Sequence, residues 1–177
     1  MVKFMLEEIL SGDNVVDSIK NNIDVLVELV PEIKFMFNFP HNHPHHHLDV
    51  WNHTLLSLSN SVDDFEVRLA LLLHDIGKPF SYQDEEVRHF RGHPHVSSIM
   101  SRDILKRLDY DDIFIDRICY LVENHDNPIS EIDVKNDYDI NYKRYLIQEC
   151  DCLAHNPEKL TKRVKYLEKV KKYFNSK

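Results

Sequence analysis

Glycine is scarce in this chain: three in 177 residues. β-branched residues form no repeated alternating runs either, so the dominant hydrophobic period is helical and an all-α fold is expected. Cysteine is nearly as rare. Cys119, Cys150 and Cys152 make an odd number with no framework spacing. Cys150 and Cys152 stand two apart, unlike a zinc-type C-x-x-C, so reduced thiols and a cytoplasmic setting are expected. No stretch approaches the roughly 18 uninterrupted apolar residues of a membrane span. Acidic residues arrive by Glu7 with no apolar core after a basic start, so no signal peptide is read at Met1. Positive charge is also short. The net charge is −8 with histidines neutral, which excludes a general nucleic-acid surface, because such affinity comes mainly from neutralising phosphates. A short RNA 3′ end or a nucleotide held at a metal site stays open, as does a homodimer.

Histidine, by contrast, is abundant, with twelve residues. Apolar content of 42% and charged content of 29% are ordinary for a globular chain. The length suits one domain over 1–177. Its motif-bearing core is expected at about 40–155, with helices of 1–39 and a C-terminal helix of 157–175 packed on it. A short helix is expected over 2–10. A second runs from a cap at Asp13 to about Val30, with a third turn over Glu32–Phe37. Two prolines in five residues make 40–47 a loop. A helix over Asp49–Val62 carries His53 and buries Leu55, Leu56, Leu58 and Val62. Asp64 caps the next, Phe65–Asp75, which is apolar almost all round and therefore central. Residues 77–92 form a polar loop with a small hairpin. Helices follow from His93 to about Leu108, from Asp111 or Asp112 to His125, from Ser130 to Lys135, from Tyr138 to His155, and from Pro157 to the end.

The most informative segment is Leu71-Leu72-Leu73-His74-Asp75-Ile76-Gly77-Lys78-Pro79. It delivers imidazole and carboxylate at adjacent positions, a donor set that suits a divalent transition metal. Neighbouring helical side chains diverge by about 100°, so the pair converges on one ion only near a helix end, or serves two. Gly77 fits a helix stop. Lys78 places a cation where an anionic substrate wants one, though a cation near a helix C-terminus is favourable in any case. Partners follow in order: His53 in Asp49-Val50-Trp51-Asn52-His53-Thr54, His93 in Phe90-Arg91-Gly92-His93-Pro94, His125 in Asn124-His125-Asp126, and Asp151 in Asp151-Cys152-Leu153-Ala154-His155. His95 is an alternative to His93, but two residues along a helix it faces elsewhere.

That order, His, His-Asp, His, His, Asp, resembles the HD-domain superfamily of metal-dependent phosphohydrolases. It is most similar to the HD domain of bacterial CCA-adding tRNA nucleotidyltransferases over roughly residues 40–155. No counterpart of the nucleotidyltransferase domain is read, so a free-standing HD domain is expected. The resemblance implies an all-α helical bundle with a central helix bearing His74-Asp75. It also implies metal ligation by His53, His74, Asp75 and Asp151, and a binuclear centre where His93 and His125 are added. Asp75 alone has ligand histidines on both sides of it in the order, so it is assigned as the bridge. His53, His74 and Asp151 complete one site, and His93 and His125 the other. Fe, Mn, Ni, Co, Zn and Mg are not distinguished.

Two metals about 3.5–4 Å apart can activate a hydroxide and neutralise a leaving oxygen. The expected activity is therefore hydrolysis of a phosphate ester, of a nucleotide or related small molecule, as a phosphatase or phosphodiesterase. Asp75, Lys78 and Arg91 are the catalytic candidates, with Lys78 and Arg91 on the phosphate. The pocket is expected from loops 77–92 and 126–140. In the loop of His41, His43, His45, His46 and His47, His45 or His46 is read as lining the substrate entrance. Trp51 is read as core, and Cys150 and Cys152 as small buried residues rather than soft ligands. Two other classes remain: a non-enzymatic metal-binding or regulatory module, and a di-iron oxygenase. Six filled ligand positions argue against the first. The phosphate-directed Lys78 and Arg91 argue against the second.

Overall fold

A computed structural model describes residues 2–175; Met1, Ser176 and Lys177 of the expected span lie outside the described residues. The described residues form an all-α bundle of ten α-helices. These are α1 (Val2–Ile9), α2 (Val15–Asn21), α3 (Ile23–Leu29), α4 (Val50–Ser59), α5 (Phe65–Leu73), α6 (His93–Arg107), α7 (Asp112–Glu123), α8 (Glu131–Asn136), α9 (Tyr138–Leu153) and α10 (Thr161–Phe174). Short 3-10 turns sit at Pro31–Met36, Lys78–Phe80 and Pro157–Lys159. The only sheet among the described residues pairs β1 (Gln83–Asp84) with β2 (Arg88–His89), with Gln83 opposite His89. It is the small hairpin expected in the 77–92 loop.

Helix α5 lies at the centre and packs on α4, α6, α7 and α9. Its residues Val67 to Leu73 are all buried, and each fully buried leucine contributes about 1.5–3 kcal/mol. Asp64 caps it, accepting from the Val67 amide at 3.0 Å. A second, smaller apolar cluster joins Leu167, Val170 and Phe174 of α10 to Ile129, Val134, Tyr145 and Cys152. That cluster holds the C-terminal helix against α8 and α9.

Several expected boundaries shift. The helix expected from Asp13 to Val30 is two helices that meet at Asn22, which ends one and starts the next at φ −116° and ψ 24°. Its N-cap is Asn14, whose side chain accepts from the Asp17 amide at 3.2 Å. Helix α4 stops at Ser59, so Val62 lies beyond it and is 50% exposed rather than buried. The last helix starts at Thr161, because residues 157–159 take the 3-10 form after Pro157. Gly77 is not a left-handed helix stop: its φ is −81°. A Cβ there would lie 2.6 Å from the Ser97 amide nitrogen and 2.8 Å from Ser97 Oγ. Glycine thus lets the segment after His74-Asp75 press against α6. Trp51 is partly buried against the main core, edge-on to Phe37. Cys150 lies in that core and Cys152 in the smaller cluster, and burial pushes the Cys150 thiol up to about 12.

Candidate metal centre

The ligand-type side chains gather where helices begin and end. His53 is in the first turn of α4, His74 and Asp75 just past α5, His93 at the start of α6, His125 just past α7, and Asp151 in the last turn of α9. Three of the histidines share one local device. The Nδ1 of His74, His93 and His125 each bond a carbonyl three residues back, Leu71 at 2.6 Å, Phe90 at 2.9 Å and Val122 at 2.6 Å. His53 Nδ1 bonds the Ala154 carbonyl at 3.1 Å. A carbonyl only accepts, so Nδ1 carries the hydrogen in all four rings and donates it. Each neutral ring is then left with a lone pair on Nε2, the arrangement that orients metal-binding imidazoles. Leu71 and Val122 are last-turn residues, and the Val122 carbonyl also accepts from the His125 amide at 3.4 Å.

The four Nε2 atoms and two carboxylates form two groups that share Asp75. In one, His74 Nε2 lies 3.3 Å and His53 Nε2 3.6 Å from Asp75 Oδ2. Asp151 Oδ1 is 2.8 Å from His53 Nε2 and 3.6 Å from His74 Nε2. In the other, Asp75 Oδ1 is 3.2 Å from His93 Nε2 and 3.9 Å from His125 Nε2. Those two nitrogens are 3.2 Å apart. The backbone turns tightly after Leu73, with Ile76 N bonded to the Leu73 carbonyl and Lys78 N to that of Asp75. That turn brings His74 and Asp75 onto one side despite their adjacency.

All six side chains are buried. His74 Nε2 and Asp75 Oδ1 are buried with no hydrogen-bond partner, a costly state that a bound cation relieves. Burial disfavours charge on His74, yet the Asp75 and Asp151 carboxylates raise its pKa to about 10. Burial likewise opposes ionisation of Asp75, but His74 and Lys78 hold its carboxyl well below the usual range. Positive charge is thus stabilised at His74, whereas burial lowers the His125 pKa to about 4 and keeps that ring neutral. The donor set of imidazole nitrogens and carboxylate oxygens fits a divalent metal.

Lys78 is buried, its ammonium 2.7 Å from Asp75 Oδ2 and 3.1 Å from His41 Nε2. His41 donates from Nδ1 to the Leu48 carbonyl at 2.8 Å. Burial and Lys78 depress its pKa to about 2, so it stays neutral and accepts from the lysine.

The centre opens onto a cleft of about 640 Å³ lined by side chains that include Asp75, Lys78, Arg91, His93, His125 and Asp151. Arg91 is on the exposed rim, its guanidinium 2.8 Å from Glu85 Oε1. His45 and His46 both line the cleft. His46 stacks on His41 with centroids 3.8 Å apart and lies 4.4 Å from His155. His95 points away from the ligand cluster, exposed and 2.9 Å from Glu123 Oε1. Loop 77–92 forms one wall as expected. The opposite wall is the segment 155–163 rather than 126–140, of which only Asp126 reaches the cleft. Residues missed in the sequence are therefore His41, Asp126, His155 and Arg163. His155 follows Asp151 by four, a helical spacing that was readable. Arg163 carries no sequence signal.

The HD domain family model matches residues 45–170. The chain belongs to the HD-domain family. The match runs past the expected core and takes in most of α10. The HD chain is similar to the CC-adding tRNA nucleotidyltransferase of Thermus thermophilus, 34% identical over 93 residues, 48% of this chain and 21% of that protein. It is similar to the A-adding tRNA nucleotidyltransferase of Deinococcus radiodurans, 34% identical over 87 residues, 45% of this chain and 20% of that protein. A multifunctional CCA protein of Shewanella denitrificans is 30% identical over 111 residues, 60% of this chain and 27% of that protein. The similarity thus spans about a fifth to a quarter of these relatives. No helix among the described residues is long and apolar enough to cross a membrane.

Proposed function

We propose that this HD domain is a metal-dependent hydrolase of phosphate esters, acting on a nucleotide or related small molecule in the cytoplasm. The observation that supports it most is the pair of ligand groups sharing Asp75 at the floor of an open cleft. His53, His74, Asp75 and Asp151 would hold one divalent ion, and Asp75, His93 and His125 a second. When bound, such ions polarise a phosphoryl oxygen and lower the pKa of water. The chain's own residues do the rest. Asp75 uses Oδ2 toward one group and Oδ1 toward the other. The four backbone-anchored imidazoles hold their Nε2 atoms in place without reorganisation. Lys78 gives two of its three N–H donors to Asp75 and His41, which leaves one for a substrate oxygen at the cleft floor. Arg91, on the rim, would meet the substrate's outer anionic part.

A second reading places the phosphate at the 3′ end of an RNA. The names of the relatives, which are tRNA nucleotidyltransferases, favour it. One experiment addresses both. Metal content of the purified protein is measured, then turnover is screened on phosphomonoesters, cyclic nucleotides and short RNAs ending in phosphate, with Asp75→Asn as control. The proposal expects divalent metal and turnover of at least one ester class in wild type, and neither in the variant, whose amide cannot balance two cations. Wild type that holds metal but cleaves none of these would reject the hydrolase reading.

A further inference from the structure

Arg163, on α10, stands outside every motif of the site. Its side chain nevertheless reaches under the ligand Asp151. One guanidinium nitrogen is 2.7 Å from Asp151 Oδ2, and the other donates to His155 Nε2 at 2.9 Å. His155 in turn donates from Nδ1 to the Asp151 carbonyl at 2.7 Å. Asp151 therefore has its two oxygens divided between two tasks. Oδ1 faces His53 and His74, and Oδ2 is taken by Arg163. The same guanidinium lies 3.7 Å from Asp126 Oδ1, beside the other ligand group.

We propose that Arg163 is a positioning residue for the metal centre, holding Asp151 through Oδ2 so that Oδ1 is presented as a ligand, with His155 fixing the guanidinium from the other side. The inference rests on the metal reading above. The fork matters because two acceptors, a carboxylate oxygen and a ring nitrogen, are bridged by one planar group, a geometry that lysine cannot reproduce. Two of its five N–H donors are committed to Asp151 and His155, and through that pair Arg163 acts on the ligand. Helix α10 is thereby part of the centre. Leu167, Val170 and Phe174 seat it in the smaller apolar cluster, and Arg163 carries that seating to Asp151.

Charge and geometry make opposite predictions. A guanidinium beside a ligand carboxylate repels a divalent cation, so a purely electrostatic role means that its removal tightens metal binding. A positioning role means that its removal weakens binding, by roughly the 10- to 100-fold typical of lost outer-shell partners. The test titrates the full chain with Co²⁺ by calorimetry and visible absorption, in wild type, Arg163→Ala, Arg163→Lys and, for comparison, His93→Ala. Expected is a roughly 10- to 100-fold loss for Arg163→Ala at the ion held by His53, His74 and Asp151, with an altered absorption band. The ion that His93→Ala removes keeps its affinity. Arg163→Lys keeps the charge but lacks the fork, so it must also bind more weakly there, and it decides the matter if Arg163→Ala does not fold. Unchanged or tighter binding in Arg163→Lys, or an equal loss at both ions, overturns the proposal. A wild-type chain that binds neither Co²⁺ nor, in the same titration, Mn²⁺, Ni²⁺, Zn²⁺, Fe²⁺ or Mg²⁺ overturns the metal reading, and this inference with it. Normal wild-type binding with normal variants overturns only the role of Arg163.

Discussion

A neutral imidazole offers a metal one nitrogen, and the partner of the other nitrogen decides which. In His53, His74, His93 and His125 the Nδ1 hydrogen is spent on a backbone carbonyl, so the residues differ in role only through where Nε2 points. His93 and His125 point at Asp75 Oδ1, the side away from His53 and Asp151. Alanine at either should cost one of two bound ions and leave the other. Metal analysis of each purified variant checks this, and one ion in wild type with no change in the variants would refute the two-group assignment. Lys78 and Arg91 differ from each other in setting. A charge-assisted phosphate contact is worth about 1.5–3 kcal/mol, or about 10- to 100-fold in catalytic efficiency. Lys78→Ala should fall in that range with its metals retained. The Arg91 side chain is 66% exposed and shared with Glu85, so Arg91→Ala should sit at the low end of that range or below it. Metal content, melting temperature and kcat/KM on the same samples separate phosphate contact from helix capping, which would lower only the melting temperature. The six ligand candidates were legible as residue types in sequence order, with His74-Asp75 marked by the apolar run before it, but His155, which the fold groups with His53 and Asp151, was missed. His41 was not singled out, since one histidine among five in a loop carries no signal until burial selects it.

Elements place these residues by where they stop. The sequence marks α5, α8 and α9 well, because Asp64, Ser130 and Asp137 each accept from an amide of the first turn. It marks the break at Asn22 poorly, since Ile19, Ile23, Leu26 and Val30 keep one apolar stripe through it. The same holds for Gly77, whose reason lies twenty residues away in Ser97. The Gly77 amide donates to Ser97 Oγ at 2.9 Å, and the approach leaves no room for a methyl group. Gly77→Ala has a permitted backbone but must push α6 away from the turn that follows His74-Asp75. Overpacking of this kind costs about 1–3 kcal/mol. Because His93 opens α6, the displacement should also weaken the group of Asp75, His93 and His125 more than the other. A denaturant titration and a metal titration of Gly77→Ala test the two parts. Wild-type behaviour in both would mean that the contact is slack.

The molecule as a whole spans a net charge of −8 and a centre that concentrates two buried carboxylates among imidazoles. Its all-α class and central helix were readable from periodicity. The second wall of the cleft was not, because the contact of Arg163 with Asp151 is made by tertiary packing of α10 and leaves no local pattern. Folding brings the candidate ligands together from five separate segments, so the site exists only in the native state, and metal bound there would be linked to global stability. An ion at 100 times its dissociation constant adds about 2.7 kcal/mol to unfolding. At about 2–4 °C per kcal/mol for a chain of this size, the melting temperature should rise by about 5–11 °C for one site, and more if both fill. Chelator should reverse the rise in wild type. Asp75→Asn should show little shift with any divalent ion, since it weakens both groups at once, whereas His93→Ala should keep the share that belongs to His53, His74 and Asp151. A wild-type melting temperature that ignores Mn²⁺, Co²⁺, Ni²⁺, Zn²⁺, Fe²⁺ and Mg²⁺ alike would show that the buried cluster is held by its own ion pairs and is not a metal centre.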